Sequence, residues 1–328
     1  MDNLNNHDDE FRVLGGSEWN GEEVSLIEEL GEEQPPQPWY KRRETKWAVI
    51  ALFVMALVAG SVWWVTQWYL RSKYYKEFDY TYSRTSQQVI DALESSQPIK
   101  DYRRGGVTCM EDSINNVHFK VYTLTGLTAS VELEYPSAKD RSVYFVTPTM
   151  DYRKNDSLSL GERSYIGDAL VADSIYGTGR HRAGYIATIP GSTAIIGVSR
   201  EDSVLNYLRT IPAENINGRM TSSSFVRQIA LLSHSEICVS QLDLKGKWER
   251  CAYCYKEETP DIVYFVESLT KESLYDFSEA LRDYGFSDAV YVSGGLVENR
   301  FYRLSKNRVH GELGTAGPDL YLVFRRKK

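Results

Sequence analysis

What this 328-residue chain lacks most tellingly is charge between Trp47 and Leu70, where 24 residues pass without an Asp, Glu, Lys or Arg. It also has little cysteine: four residues, Cys109, Cys238, Cys251 and Cys254, all beyond that run. No second Cys-x-x-Cys completes a zinc set around Cys251-Ala-Tyr-Cys254, so no metal site is expected. No internal repeat and no low-complexity stretch occurs, which excludes a repeat array. Residues 1–40 lack lysine altogether and hold one arginine against eleven Asp and Glu. That segment cannot bury enough apolar surface to offset its ordering entropy, and it reads as a disordered acidic tail. Its excess of ten negative charges is larger than the net −7 of the chain, so the remainder is slightly basic, at about +3. Such a balance is compatible with glycans or phosphates but gives no basic stripe for nucleic acid.

The uncharged run is the firmest positive signal. As a helix rising about 1.5 Å per residue it reaches ~36 Å, enough to cross a hydrocarbon core of about 30 Å with some tilt. Trp47 at one end and Trp63, Trp64, Trp68 and Tyr69 at the other suit the two interfaces. A buried core helix rarely stays uncharged for so long. A cleaved signal peptide fits poorly, although Val58-Ala59-Gly60 has the small residues of a cut site. Lys41, Arg42, Arg43 and Lys46 precede the span, and Arg71, Lys73 and Lys76 follow it. Four charges against three place the N-terminus in the cytoplasm and the C-terminal part outside, periplasmic or extracellular. The expected layout is a tail over 1–40, a transmembrane helix over 47–70, a juxtamembrane helix over 71–100 and an exported domain over 101–328. Within the tail, Val24–Leu30 can form an amphipathic turn for a protein partner; a solvated tail is the plainer reading.

Beyond the span, Val, Ile, Thr and Tyr dominate the apolar runs, so strands should outnumber helices. Strands are predicted at 117–123, 129–134, 142–147, 184–189, 193–198, 229–231 and 236–242, with a short helix over 202–210. Lys245-Gly-Lys is read as the turn of a hairpin into 249–256. In that last strand the period of two sends Cys251 and Cys254 to opposite faces. Free buried thiols are the plainer reading of the cysteines; a disulfide from Cys238 to Cys251 or Cys254 is the alternative.

The best-organised segment is 262–293. Ile262–Glu267 is a buried strand signal. Thr270 can cap a helix with Leu274, Phe277, Leu281 and Tyr284 on one face, Gly285 can end it, and Ala289–Val292 is the next strand. Strand, helix, strand with short joints makes a βαβ unit with parallel strands. The expected fold is therefore a mixed α/β exported domain with a C-terminal βαβ unit, preceded by one transmembrane helix. Both strands end on one edge, gathering Glu267, Ser268, Ser293, Gly294 and Gly295 where open α/β sheets tend to bind ligands. A simple glycine turn explains the two glycines equally well.

The order of these elements resembles the phosphodiester glycosidase family. The likeness rests on Arg250-Cys-Ala-Tyr-Cys, Val266-Glu-Ser268, Leu274-Tyr-Asp-Phe277-Ser-Glu-Ala-Leu281 and Gly285-Phe-Ser-Asp288-Ala-Val-Tyr-Val-Ser293-Gly294-Gly295. Phe225-Val-Arg-Gln228, Arg300-Phe-Tyr-Arg303 and Leu320–Phe324 add to it. The resemblance implies hydrolysis of a phosphodiester at a sugar anomeric carbon, which needs cations for the phosphate and an acid or base for the leaving group. It implies Arg227 and Arg250 as phosphate ligands, against the plainer reading of each as a solvated strand arginine. From the residues alone, Arg182 of the Arg180-His-Arg182 cluster can bind an anion, with a surface loop the plainer reading, and Gly294 and Gly295 can let a substrate approach the backbone. Two departures matter. Ser293 stands where the family has an aspartate, and Pro148-Thr-Met replaces most of an Asn-rich strand end. Glu267 and Ser293 are the catalytic candidates, with Asp151 and Glu298 as other carboxylates that can substitute. No cofactor is indicated. Three functions are open: a membrane-anchored hydrolase of sugar phosphodiesters in the cell envelope, a silent relative that binds glycan or an envelope protein, and a scaffold linking the tail to the exported domain.

Overall fold

The computed structural model describes residues 38, 43–74, 86–96, 99, 105–150, 167–177, 183–199, 203–239, 246–292, 300–304, 308–317 and 319–327. The chain divides into two compact units, Met1–Thr66 and Gln67–Lys328. The first carries most of helix α1 (Arg43–Tyr74), in which Thr45–Gln67 is long and apolar enough to cross a membrane. Ile50, Leu52, Phe53 and Met55 fall on different sides of this helix, and all are exposed. A helix that is apolar all round has no face suited to water.

The second unit opens with α2 (Ser86–Ser95), β1 (Gly106–Ile114), β2 (Val117–Thr125), β3 (Thr128–Glu132) and β4 (Val143–Pro148). Then come β5 (Asp168–Val171), β6 (Ser174–Gly177), β7 (Gly184–Thr188), β8 (Ile195–Val198) and α3 (Ser203–Thr210). Five strands follow: β9 (Glu214–Ile216), β10 (Arg219–Thr221), β11 (Ser224–Gln228), β12 (Ala230–Ser233) and β13 (Glu236–Ile237). The chain closes with β14 (Cys251–Tyr255), β15 (Ile262–Ser268), α4 (Leu274–Asp283), β16 (Asp288–Val292), β17 (Phe301–Arg303), β18 (Val309–His310) and β19 (Tyr321–Arg325).

Three sheets result, ordered β1-β2-β15-β14-β16-β12-β13, β6-β5-β11-β7-β8 and β18-β17-β4-β19-β3, with β9 and β10 as a separate hairpin. Neighbouring strands in the sheets are antiparallel. Tight two-residue turns explain much of this. Asn115-Asn116, Ala172-Asp173 and His234-Ser235 each have both φ values positive, between 46° and 66°, the backbone that matches the twist of a hairpin.

Side-chain alternation builds the core in layers. Tyr122, Phe265 and Val292 from the first sheet, Val226 and Ile186 from the second, and Phe145 and Phe324 from the third share one central cluster. The outer face of the seven-stranded sheet buries Phe119, Ala252, Val266 and Tyr291 with Phe277 and Leu281 of α4. The outer face of the second sheet packs Phe225 and Tyr185 with Val89 of α2 and Val204 and Leu208 of α3. β14 is covered on both faces: Cys251 and Tyr253 enter the central cluster, while Ala252 and Cys254 enter the α4 layer. The opposed cysteines are thus as the two-residue period requires.

Three local expectations are corrected. Strands β15 and β16 do run parallel, since both are antiparallel to β14, but β14 is inserted between them. Because β14 pairs there, it makes no hairpin with β13, which lies on β12 at the far edge. The cap of α4 is Ser273, whose Oγ accepts from Asp276 N at 3.0 Å, and not Thr270. Gly285, with φ +94°, does end that helix. All four cysteines are thiols, so the disulfide alternative fails: Cys251 and Cys254 stand in separate layers and Cys238 packs in a third small cluster.

Candidate functional site

Residue 267 is the penultimate position of β15, and the pairing Cys251↔Glu267↔Lys120 sets three side chains in one cross-strand row. By alternation Glu267 shares the face of Phe265 and Val263, both in the central cluster, so its carboxylate lies at the rim of that core. Burying a carboxylate there requires partners. Tyr122 Oη donates to Oε1 at 2.8 Å, and Arg300 Nη1 donates to Oε2 at 2.5 Å. Arg300 is 4% exposed, its Nη2 donates to Cys251 Sγ at 2.8 Å, and its Cζ lies 5.5 Å from the Phe265 ring centre.

These groups open onto a cleft of about 240 Å³, lined among others by Lys120, Cys251, Glu267, Arg300, Tyr302 and His310. Tyr302 and His310 stack at 4.7 Å and 13°, and Tyr302 also packs 4.9 Å from Tyr122. Burial works against the charge of Arg300, but Cys251 and Glu267 outweigh it and hold the pKa above the ordinary arginine value. Lys120 behaves alike: burial opposes its charge, the hydrogen bond to Glu111 and the field of Glu267 favour it, and its pKa is raised. Burial, followed by the negative charge of Glu267, pushes the Tyr122 phenol far up, so it stays a donor. The site therefore combines the Glu267 carboxylate, two fixed cations and a stacked aromatic pair. Among the described residues no group of three or more His, Cys, Asp or Glu could hold a metal ion.

The sequence candidates distribute unevenly around this cleft. Glu267 is in its wall. Arg250 is one residue before Cys251 and therefore points to the other face, 6.0 Å from the Tyr291 ring. Its Nε and Nη2 donate to the carbonyls of Glu272 and Gly246, each at 2.9 Å, and its main-chain N–H donates to Ser268 Oγ at 2.7 Å. Arg227 is in the second sheet, on the Phe225 face, 3% exposed. It forks onto Asp168 through Nε at 2.9 and 3.2 Å and Nη2 at 2.6 Å. Arg182, Ser293, Gly294 and Gly295 lie outside the described residues, as do Asp151 and Glu298.

Sequence reasoning missed Tyr122, Lys120, Arg300, Tyr302 and His310 as site residues. Only the Arg300-Phe-Tyr-Arg303 pattern had marked any of them, and it marked a strand. Tyr122 and Glu267 are 145 positions apart, and no local spacing signals that β2 lies beside β15.

No family model matches the chain, and no curated protein matches its sequence. Among solved structures the comparison finds distant neighbours. One is the catalytic domain of zebrafish N-acetylglucosamine-1-phosphodiester alpha-N-acetylglucosaminidase, auto-inhibited by its pro-peptide. It is 12% identical over 71% of this chain and 85% of that one, with a TM-score of 0.42. Another is a hypothetical protein from Synechocystis, 13% identical over 67% of this chain and 62% of that one, with a TM-score of 0.37.

Proposed function

We propose that the chain is a membrane-anchored protein whose C-terminal domain takes a sugar phosphodiester in the Glu267 cleft and hydrolyses it at the anomeric carbon. The observation that carries this reading is the convergence of Glu267, Arg300, Lys120 and the Tyr302–His310 stack on one cleft. Arg300 and Lys120 supply fixed positive charge where phosphate charge develops, and preorganised charges and donors of this kind provide much of the rate enhancement in many enzymes. The aromatic pair offers an apolar platform for a sugar ring, and Glu267 is the group placed to move a proton. The sugar-phosphate class follows from the residues that resemble phosphodiester glycosidases, from Arg250 to Gly295. In this reading α1 crosses the membrane, the acidic tail lies in the cytoplasm where a protein partner can engage it, and the sheet domain faces the envelope side.

The test is release of sugar from an N-acetylglucosamine-1-phosphodiester by the full chain purified in neutral detergent. Turnover that is lost in Glu267→Gln, with substrate still bound, supports hydrolysis. Absence of both binding and turnover in the wild type defeats the proposal. A second reading, binding without turnover, has its own support: both oxygens of Glu267 already accept hydrogen bonds from the protein. Calorimetric binding with no sugar release would favour it.

A further inference from the structure

The arginines of the sheet domain differ in their partners. Arg219, Arg227, Arg282, Arg300 and Arg325 each face a carboxylate. Among the described residues, Arg141, Arg209, Arg250, Arg303, Arg308 and Arg326 have no carboxylate at ion-pair distance, and of these Arg303 and Arg326 share one aromatic ring. Arg303, the last residue of β17, lies 5.5 Å from the Tyr144 ring centre, and Arg326, just past β19, lies 4.5 Å from the same centre. Their guanidinium carbons are therefore at most about 10 Å apart, the sum of those two distances. Each uses one terminal nitrogen on a main-chain carbonyl, Arg303 on Arg141 and Arg326 on Gly105. Each leaves its Nε–H buried and without a partner among the described residues.

Two like charges around one ring, with no described carboxylate against them, raise each other's energy unless an anion joins them. The placement is not left to flexible side chains alone. Arg326 N donates to Ser142 O at 2.9 Å, and its carbonyl accepts from Asn217 Nδ2 at 3.3 Å. β17 is registered on β4 next to Tyr144, through Tyr302↔Phe145. Arginine forks suit phosphate because its oxygens accept paired N–H donors from more than one direction.

We infer that Arg303, Tyr144 and Arg326 form a phosphate-binding site separate from the Glu267 cleft. The phosphate is a free small anion or the headgroup of an anionic phospholipid; both present the same oxygens to the two forks. The site's occupancy does not depend on whether the cleft turns over a substrate.

The experiment is calorimetric titration of the full chain in neutral detergent with inorganic phosphate, against sodium chloride at matched ionic strength. Arg303→Gln and Arg326→Gln each weaken phosphate binding to this site at least tenfold, the double variant abolishes that class of binding, and any separate isotherm that remains belongs to the Glu267 cleft. Where a glutamine variant fails to fold, Arg303→Lys and Arg326→Lys keep the charge but lose the fork, and a several-fold weakening is expected. Adding phosphatidylglycerol to the micelles, with phosphatidylcholine as control, distinguishes the sources: displacement of bound phosphate identifies a lipid headgroup, and no displacement a soluble phosphate. The inference is overturned if the wild type binds no phosphate, if chloride at equal ionic strength matches the signal, or if the folded Arg303 and Arg326 variants bind as the wild type does.

Discussion

Removing the Glu267 carboxylate should destabilise the domain far more than removing the ion pair as a whole. Arg300 is 4% exposed, and the Glu267 side chain is 15% exposed. The carboxylate is the acidic partner of that buried guanidinium. Glu267→Gln therefore strands a positive charge beside Phe265 and Cys251. Breaking a buried pair from one side typically costs 3–5 kcal/mol, and the residual solvent at Glu267 argues for the low end, ~3 kcal/mol. For a unit of this size that is a fall in Tm of about 6–12 °C. Arg300→Met alone strands the carboxylate but leaves it the Tyr122 phenol, so its cost should be somewhat smaller, about 2–3 kcal/mol. The double variant removes both charges and keeps most of the volume. It should recover much of the loss, with a coupling of about 2 kcal/mol or more between the sites. Thermal unfolding of the four proteins in one detergent reads this directly. Single variants within about 1 kcal/mol of the wild type, with additive effects, would mean that the pair is solvated and the argument from burial is wrong.

Three further outcomes follow from the same geometry. Asp140 is raised by burial but lowered more by Ser142 and Arg325, so its folded pKa lies below the ordinary 3.8. Its stabilisation is whole above that ordinary value and is lost as pH falls through the folded one; Asp140→Asn should flatten this acid limb of a Tm-versus-pH curve. Burial raises the thiols of Cys109, Cys238 and Cys254. A thiol reagent at pH 8 should label Cys109 before the buried pair Cys251 and Cys254, which react only on unfolding, and a non-reducing gel should show no mobility shift. An arginine at Val54, near the middle of the apolar stretch of α1, should cut membrane integration in an insertion assay, because a central arginine costs about 2.5–3.5 kcal/mol there; undiminished integration would argue against the span.

The parts of the fold legible in the sequence are those whose signal is local. The 24-residue uncharged run became α1, and apolar runs at 117–123, 142–147 and 184–189 became β2, β4 and β7. The helix between β15 and β16 was readable because Phe277 and Leu281 fall four apart and Gly285 stops it. The β5–β6 hairpin was not, because its turn is Ala172-Asp173 and not an Asn-Gly pair. An alanine at φ 46° gives no warning in the sequence that the chain reverses there. The β12–β13 hairpin turns on His234-Ser235 for the same reason, and this hid the fact that β13 closes an edge and does not lead into β14. Of the residues lining the candidate cleft, the sequence singles out Glu267 and Ser268 at the strand end and Cys251 in a Cys-x-x-Cys pattern, and only Glu267 as a candidate for chemistry. Its partners come from β2 and from the segment before β17, and that pairing is a property of the sheet.

The insertion of β14 between the parallel strands β15 and β16 decides what kind of site the edge can form. With strands about 4.8 Å apart, the two C-terminal ends stand roughly 10 Å from each other, with Cys251 between them. A crevice between adjacent parallel strands would have brought Glu267 beside the residue that follows Val292. Here Val292 and Glu267 each pair with Cys251 from opposite sides. On its other side Glu267 has Lys120 of β2 as its neighbour and Tyr122 of β2 as its donor. Arg300 reaches both Cys251 and Glu267 because the two are adjacent in one row. The carboxylate, the cations and the aromatic pair thus share a cleft with Cys251, over the row that runs from β14 through β15 to β2. β16 ends at Val292, on the other side of β14 from Glu267. The surroundings of the Glu267 carboxylate are therefore set by Arg300, Lys120 and Tyr122, its partners in the ion pair, the cross-strand row and the hydrogen bond.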